Sequence, residues 1–266
     1  MATGSRAPGS QAPKKSLGQH WLRDGAALQA MCDAADLRPD DFVLEIGPGL
    51  GTLTELLVKR ADNVVAVEFD GKLADELPSR VAADNLGVVH QDILSFDLTR
   101  LPPDYKLIAN IPYYLTSNLI RAISETSNPP LMAAILVQKE VAERVAAKPG
   151  AMSLLSVTAQ FYWEVSLGRE VPAELFEPPP KVDSQILVMN RRPQPLFNVD
   201  TKAFFRLAKA GFAQRRKTLL NSLAAGLHLD RTEVQKWLES VGIDPKRRAQ
   251  TLSLDEWHAL YSSMNT

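Results

Sequence analysis

Phe42-Val43-Leu44-Glu45-Ile46-Gly47-Pro48-Gly49-Leu50-Gly51 is the stretch on which the reading of this 266-residue chain turns. Its first five residues form a compact apolar run, the pattern of a buried strand. The glycines follow at once, and Thr52 to Lys59 then carries Leu53, Leu56 and Leu57 at helical spacing. Strand, glycine turn and helix make the first unit of a doubly wound α/β sheet, where ligands approach the backbone at the carboxyl ends of the strands. The glycine spacing is G-x-G-x-G, not the G-x-G-x-x-G of dinucleotide binders. Glu45, just ahead of the turn, puts negative charge where a pyrophosphate would lie. Both features disfavour a nicotinamide oxidoreductase. They favour a ligand with a cationic amine or sulfonium.

The same strand-then-polar pattern recurs downstream. Val64-Val-Ala-Val67 is closed by Glu68, about 20 residues past the glycine turn, where a carboxylate accepts from ribose hydroxyls. Gly87-Val-Val-His90 is followed by Gln91 and Asp92; Asp92 is placed to accept from an amino group on a heterocycle, with Ile93 against its ring. Tyr105-Lys-Leu-Ile108 leads into Ala109-Asn110-Ile111-Pro112-Tyr113-Tyr114. In a parallel sheet those strand ends share one crevice, so four polar residues in phase with the strands point to a ligand site.

Asn110 to Tyr113 assembles groups suited to amine chemistry. The Asn110 carboxamide oxygen accepts from an N–H. Ile111 precedes a proline and is pushed toward extended geometry, which turns its carbonyl outward. Pro112 stiffens the turn and removes a competing donor. Tyr113 offers a flat face for stacking. Two acceptors and a ring would grip an exocyclic amine on a flat heterocycle. The alternative is an ordinary strand-end turn with a half-buried tyrosine.

Elsewhere the chain alternates between helix and strand patterns. Asp24 is positioned to cap a helix from Gly25 to Ala35. Lys14 to Leu22 is either a segment that folds over a ligand or a basic lead into that helix. Thr116 to Ile123, Gln138 to Ala147 and Ser153 to Phe161 read as helices; Leu131 to Val137, Val165 to Leu167 and Gln185 to Met189 read as strands. The proline-rich loop from Leu175 to Ser184 carries Phe176, which is either a second aromatic wall opposite Tyr113 or a packer beneath the loop. Arg191 to Pro195 reads as a linker. Four helices follow, near 202–212, 215–223, 232–241 and 254–261. Gln214-Arg215-Arg216-Lys217 falls at a predicted helix start, where the dipole prefers anions, which favours contact with phosphate. Pro245-Lys246-Arg247-Arg248 is expected in a loop.

Composition is that of a globular protein, with 45% hydrophobic and 23% charged residues. No apolar run approaches the roughly 20 residues needed to span a bilayer. Residues 1–13 are expected to be a disordered tail and no secretory signal. The single Cys32 excludes an intramolecular disulfide and suits a reducing cytosol. The four histidines, His20, His90, His228 and His258, lack metal-ligand spacing, and no metal is expected. Net charge is −1, yet residues 191–266 hold 13 Lys/Arg against 7 Asp/Glu. A basic end on an acidic body suggests a polyanionic partner.

In order, these motifs resemble the small-subunit ribosomal RNA adenine N6,N6-dimethyltransferases, the kasugamycin-sensitivity family. The markers are Leu-Gly-Gln-His-Trp-Leu from Leu17, Glu-Ile-Gly-Pro-Gly-Leu-Gly, the Asn-Ile-Pro-Tyr box, Phe-x-Pro-x-Pro-x-Val-x-Ser from Phe176 to Ser184, and Arg-Arg-Lys-Thr-Leu from Arg215. They span about residues 14–262. The resemblance implies a Rossmann-like class I methyltransferase sheet of seven strands in residues 14–192, with a small all-helical RNA-binding domain in 193–266. It implies S-adenosylmethionine as donor, held by His20, Leu22, Gly47, Glu68, Asp92 and Asn110; Asn is commoner where this chain has His20. It implies a catalytic set of Asn110, Ile111, Pro112, Tyr113 and Phe176, and RNA contacts at Arg215, Arg216, Lys217, Arg247 and Arg248. The implied reaction is dimethylation at N6 of two adjacent adenosines near the 3′ end of small-subunit rRNA, linked to ribosome biogenesis. The implied protein is a cytoplasmic monomer with no membrane partner. Two rivals stand: a macrolide-resistance enzyme acting on the large subunit, which tends to carry Phe at the place of Tyr113, and a non-catalytic assembly or transcription factor that keeps the fold for RNA binding.

Overall fold

The computed structural model describes residues 18–265; the expected tail over 1–13 and the residues 14–17 lead-in lie outside the described residues. In chain order, β1 (Trp21–Leu22) and α1 (Gly25–Ala34) come first, and Asp24 caps α1 as expected by accepting from the Ala27 N–H at 2.7 Å. Then come β2 (Phe42–Ile46), α2 (Thr54–Leu57), β3 (Asn63–Glu68), α3 (Gly71–Arg80), β4 (Leu86–His90), β5 (Lys106–Asn110), α4 (Thr116–Glu125), β6 (Met132–Gln138) and α5 (Lys139–Val145). They are followed by α6 (Leu154–Tyr162), β7 (Trp163–Val171), β8 (Phe176–Glu177) and β9 (Ser184–Arg191). The chain closes with α7 (Thr201–Phe212), α8 (Leu219–Leu227), α9 (Arg231–Ser240) and α10 (Leu254–Ser262).

Seven strands form one sheet in the order β4-β3-β2-β5-β6-β9-β7. The first five run parallel, and β9 is antiparallel to both of its neighbours. This is the doubly wound α/β sheet the glycine turn predicted, with the seven strands the resemblance implied. Strand order reverses between β2 and β5, which opens a crevice at their carboxyl ends. The central strands β2, β5 and β6 are buried nearly end to end because both faces are covered. Leu44, Leu107 and Ile135 pack with Leu119 and Ile123 of α4 on one side. Val43, Ile108 and Leu136 pack with Leu28 and Met31 of α1 on the other. Lys106 is 5% exposed at the start of β5, and its ammonium is matched there by Asp41 at 2.7 Å and the Asp36 carbonyl at 2.5 Å.

The C-terminal helices build a core of their own around Phe204, Leu223, Leu238 and Trp257. Helix α6 serves both cores: Ala159 faces the sheet, whereas Val157 and Phe161 enter the helical cluster.

Two expected helices differ in extent. The one read over Thr52 to Lys59 is a single turn, Thr54–Leu57. The chain bends at once, with Arg60 N–H donating to Leu57 C=O, and Asp62 N–H donates to Asp41 C=O to start β3 alongside β2. The helix read from Arg215 begins at Leu219, capped by the Thr218 hydroxyl. Arg215, Arg216 and Lys217 therefore sit in the turn before it.

Candidate active site

The glycine turn is the floor of the site. Gly47, Gly49 and Gly51 have φ of +67°, +58° and +86°, a region closed to most side chains. At Gly51 a Cβ would also lie 2.8 Å from Leu77 and 2.9 Å from Val81 of α3 and its cap. The bare backbone so formed borders a cavity at the carboxyl ends of β2, β3, β4 and β5.

His20, Leu22, Gly47, Glu68, Asp92, Asn110, Ile111, Pro112 and Tyr113 all border that cavity, so residues spread over 94 positions of sequence meet there. Glu68 is buried, and its two carboxylate oxygens accept from Gly49 N–H at 3.1 Å and Asp70 N–H at 2.9 Å. It thus staples the glycine turn to the end of β3. Burial raises its pKa, with those N–H donors opposing. Asp92 accepts from Leu94 N–H at 3.0 Å through one oxygen, which leaves the other for a ligand. The Asn110 carboxamide has no hydrogen-bond partner among the described residues, and Ile111, 3% exposed, anchors the box beneath it.

Glu45 is a buried acid, 1% exposed, and neither carboxylate oxygen has a hydrogen-bond partner among the described residues. Burial pushes its pKa up to about 8; the buried Thr54 hydroxyl tempers the rise without forming a hydrogen bond in the geometry, and Glu68 adds to it. Such an orphaned acid beside a bare glycine backbone is suited to a cationic ligand.

The described part of the Lys14–Leu22 segment, Gly18 to Leu22, borders the cavity. Gly18 lies against Pro112 and Tyr114, with 3.6 Å from an added Cβ to Pro112. Trp21 covers Gly49, the Leu22 carbonyl accepts from the Thr52 hydroxyl at 3.1 Å, and the His20 ring runs 17° from parallel with Tyr113 at 6.1 Å. Nδ1 of His20 donates to the Pro178 carbonyl at 2.7 Å.

Phe176 is not brought to the cavity. It is 4% exposed in the core shared by α1 and the sheet, and β8 pairs it with Leu22 of β1. Its ring is spent on packing, the second of its two sequence readings. Sequence reasoning gave no role to Ser184, whose hydroxyl lies 2.7 Å from the Tyr113 hydroxyl. The motif that ends on Ser184 was the available signal.

Away from the cavity, two basic turns lie side by side. Leu219 N–H donates to Arg247 C=O at 2.7 Å and Leu220 N–H to Pro245 C=O at 3.3 Å. Arg215, Arg216, Lys217, Lys246 and Arg248 are exposed there. Arg247 is not available with them. Its guanidinium donates to both carboxylate oxygens of Glu256, to the Thr251 hydroxyl at 3.1 Å and to the Thr251 carbonyl at 2.7 Å. Among the described residues no helix is long and apolar enough to cross a membrane.

A family model described as ribosomal RNA adenine dimethylase matches residues 10–266. Ribosomal RNA small subunit methyltransferase A of Dehalococcoides mccartyi strain CBDB1 is 45% identical over 252 residues, spanning 93% of this chain and 87% of that protein. The protein of the same name from Bacillus cytotoxicus is 39% identical over 265 residues, spanning 94% and 91%. Among solved structures, a dimethyladenosine transferase from Plasmodium falciparum has a TM-score of 0.78 at 26% identity, over 92% of this chain and 98% of that one. The 23S rRNA methyltransferase ErmE has a TM-score of 0.74 at 29% identity, over 92% and 100%.

Proposed function

The chain belongs to the ribosomal RNA adenine dimethylase family, and on that premise we propose that it methylates N6 of two adjacent adenosines near the 3′ end of small-subunit rRNA. It is an rRNA methyltransferase, and the donor is S-adenosylmethionine. One observation carries this reading: Glu68, Asp92, Asn110 and Tyr113 border one cavity beside the unpartnered carboxyl of Glu45. The residues fit the donor. Glu45 and the glycine backbone suit its cationic amino acid end. Glu68 suits its ribose, the free oxygen of Asp92 its adenine amino group, and Ile93 the face of that ring. His20 and Leu22 close the cavity from above.

When bound, the donor supplies an electrophilic methyl group on a sulfonium. The chain's own residues prepare the acceptor. Adenine N6 is a poor nucleophile because its lone pair is delocalised into the ring. The Asn110 oxygen and the Ile111 carbonyl accept hydrogen bonds from the amino group and turn that lone pair out of the ring plane, and N6 gives up one proton to solvent for each methyl it takes. Fixing two reactants in such an attitude supplies about 7–11 kcal/mol of barrier lowering. The target base is unstacked from RNA to reach the pocket. Stacking on Tyr113 returns about 1–3 kcal/mol of that cost. The exposed cations Arg215, Arg216, Lys217 and Arg248 hold rRNA phosphates from the helical 193–266 domain. The enzyme works as a cytoplasmic monomer on the small subunit.

The relatives at 39–45% identity, named for the small subunit, favour that substrate over the large subunit. The test is methyl transfer from labelled S-adenosylmethionine to small subunits lacking the modification, with large subunits offered in parallel, followed by nucleoside mass analysis. N6,N6-dimethyladenosine is the expected product. Label confined to large-subunit RNA would overturn the assigned substrate. Tight subunit binding without transfer would favour an assembly factor.

A further inference from the structure

The loop from Phe176 to Ser184 contacts two residues that line the cavity, His20 and Tyr113. Near one end the Pro178 carbonyl receives the His20 ring; at the other the Ser184 hydroxyl meets the Tyr113 hydroxyl at 2.7 Å. Ser184 is fully buried, at 0% exposure, and opens β9. Its backbone is paired on both sides, with Gln138 of β6 and Val171 of β7. The hydroxyl therefore projects from a buried point of the sheet held by a strand on each side. Tyr113 is differently placed. It opens a three-residue 3₁₀ turn after Pro112, is half-buried, and borders the cavity. Its hydroxyl bond to Ser184 is the polar tether of that ring among the described residues.

We infer that Ser184 is a positioning residue for methyl transfer, acting through Tyr113: its hydroxyl pegs the phenol ring at the attitude on which the target base stacks. The inference rests on the proposed reaction. A phenol ring turns about two side-chain torsions, and the second is a broad, soft one. The hydroxyl oxygen lies on the axis of that second torsion. A hydrogen bond there fixes the swing of the ring about the first and steadies the second through the preference of a phenol O–H for the ring plane. The payoff is geometric, since a misplacement of 1 Å in a reacting pair costs about 100-fold in rate. Burial raises the pKa of the Tyr113 phenol while the Ser184 bond opposes it, so the group remains a neutral hydroxyl that can exchange a hydrogen bond with its partner. The peg leaves the donor contacts untouched, because Ser184 does not border the cavity.

The experiment is a double-mutant cycle on methyl transfer to small subunits, with Ser184→Ala, Tyr113→Phe and the double variant. Each single change is expected to slow single-turnover transfer about tenfold, the worth of one buried hydrogen bond. Affinity for S-adenosylmethionine, read by calorimetry, stays within about twofold, since no donor contact is lost. The double variant is expected to be no slower than the slower single variant, because both remove one bond. Effects that multiply in the double variant, or a wild-type rate in either single one, would overturn the inference. Where Ser184→Ala does not fold, Tyr113→Phe alone decides, since it keeps the stacking ring and deletes only the tether. A second readout needs no substrate. In protein with labelled tyrosines, Ser184→Ala is expected to broaden and shift the Tyr113 ring signals. Unchanged ring signals overturn this inference, whereas a wild-type protein without transfer activity overturns the functional reading instead.

Discussion

Arg247 and Glu256 form a two-pronged ion pair, both guanidinium nitrogens facing both carboxylate oxygens. Glu256 also accepts from Ser253 N–H at 2.8 Å to complete the capping box of α10. The pair thus ties the turn 245–248 to the start of the last helix. Arg247→Ala is expected to cost on the order of 1–2 kcal/mol, combining a weakened cap with a lost two-pronged bond at a site roughly one-third exposed. The hydrogen bond from Arg247 lowers the Glu256 pKa below its usual 4.5. Its contribution is present above that value and fades as pH falls through the folded pKa. The gap between wild type and variant should therefore narrow in acid, and urea unfolding between pH 3 and pH 7 measures it. The salt dependence of RNA binding should not change.

Asn110→Ala removes one of the two acceptors for the amino group while sparing the ribose and adenine contacts. Transfer should fall about 100- to 1000-fold, as when one preorganised polar group is deleted from an active site. Donor affinity should change by only a few fold. Rapid-quench transfer and calorimetry on the same preparation separate the two quantities, and equal losses in both would remove Asn110 from the acceptor role.

Neutralising Arg215, Arg216 and Lys217 together should weaken RNA binding and flatten its salt dependence. Each phosphate contact contributes about 0.7–0.9 to the log–log slope, so loss of three lowers it by about 2–3. Filter binding at several salt concentrations gives the slope directly. Arg247→Ala is the matched control, a basic residue of the neighbouring turn whose charge is already committed.

Glu45 predicts a stability profile of unusual sign. Its folded pKa, about 8, exceeds the ordinary 4.5. Between those values the folded chain keeps a proton that the unfolded chain has lost, so stability falls as pH rises through the window. Glu45→Gln removes that slope. In donor-free protein the variant should melt progressively above wild type from pH 5 to pH 8. Parallel curves would mean that Glu45 is ionised throughout. The flanking groups, Thr54, Glu68 and the Cys32 thiol, itself pushed up to about 11 by burial, carry no cation to offset the effect.

The parts of this fold that the sequence disclosed are those with local causes. Strand ends marked by Glu68, Asp92 and Asn110 could be read because apolar runs stop where the sheet stops. The glycine turn could be read because its backbone admits little else. What stayed hidden depends on partners far along the chain. Phe176 is buried through pairing with Leu22, and nothing in the proline run announces that strand. Arg247 looks like its neighbours until Glu256 folds back onto it from nine residues on. Helix α8 starts at Leu219 and not at Arg215, and its local signal is Thr218, a strong capping residue.

The position of β9 sets an order of events for a chain made from its N-terminus. Its neighbours are β6 and β7, and β7 touches no other strand of the sheet. When β7 has been synthesised it has no strand to pair with, and the outer edge of β6 stays bare until the segment 184–191 arrives and slots between them. The glycine turn and the Asn110 box are made more than seventy residues earlier, yet Ser184 is delivered with that final strand. Synthesis therefore completes the donor's side of the crevice first and secures the acceptor's ring last.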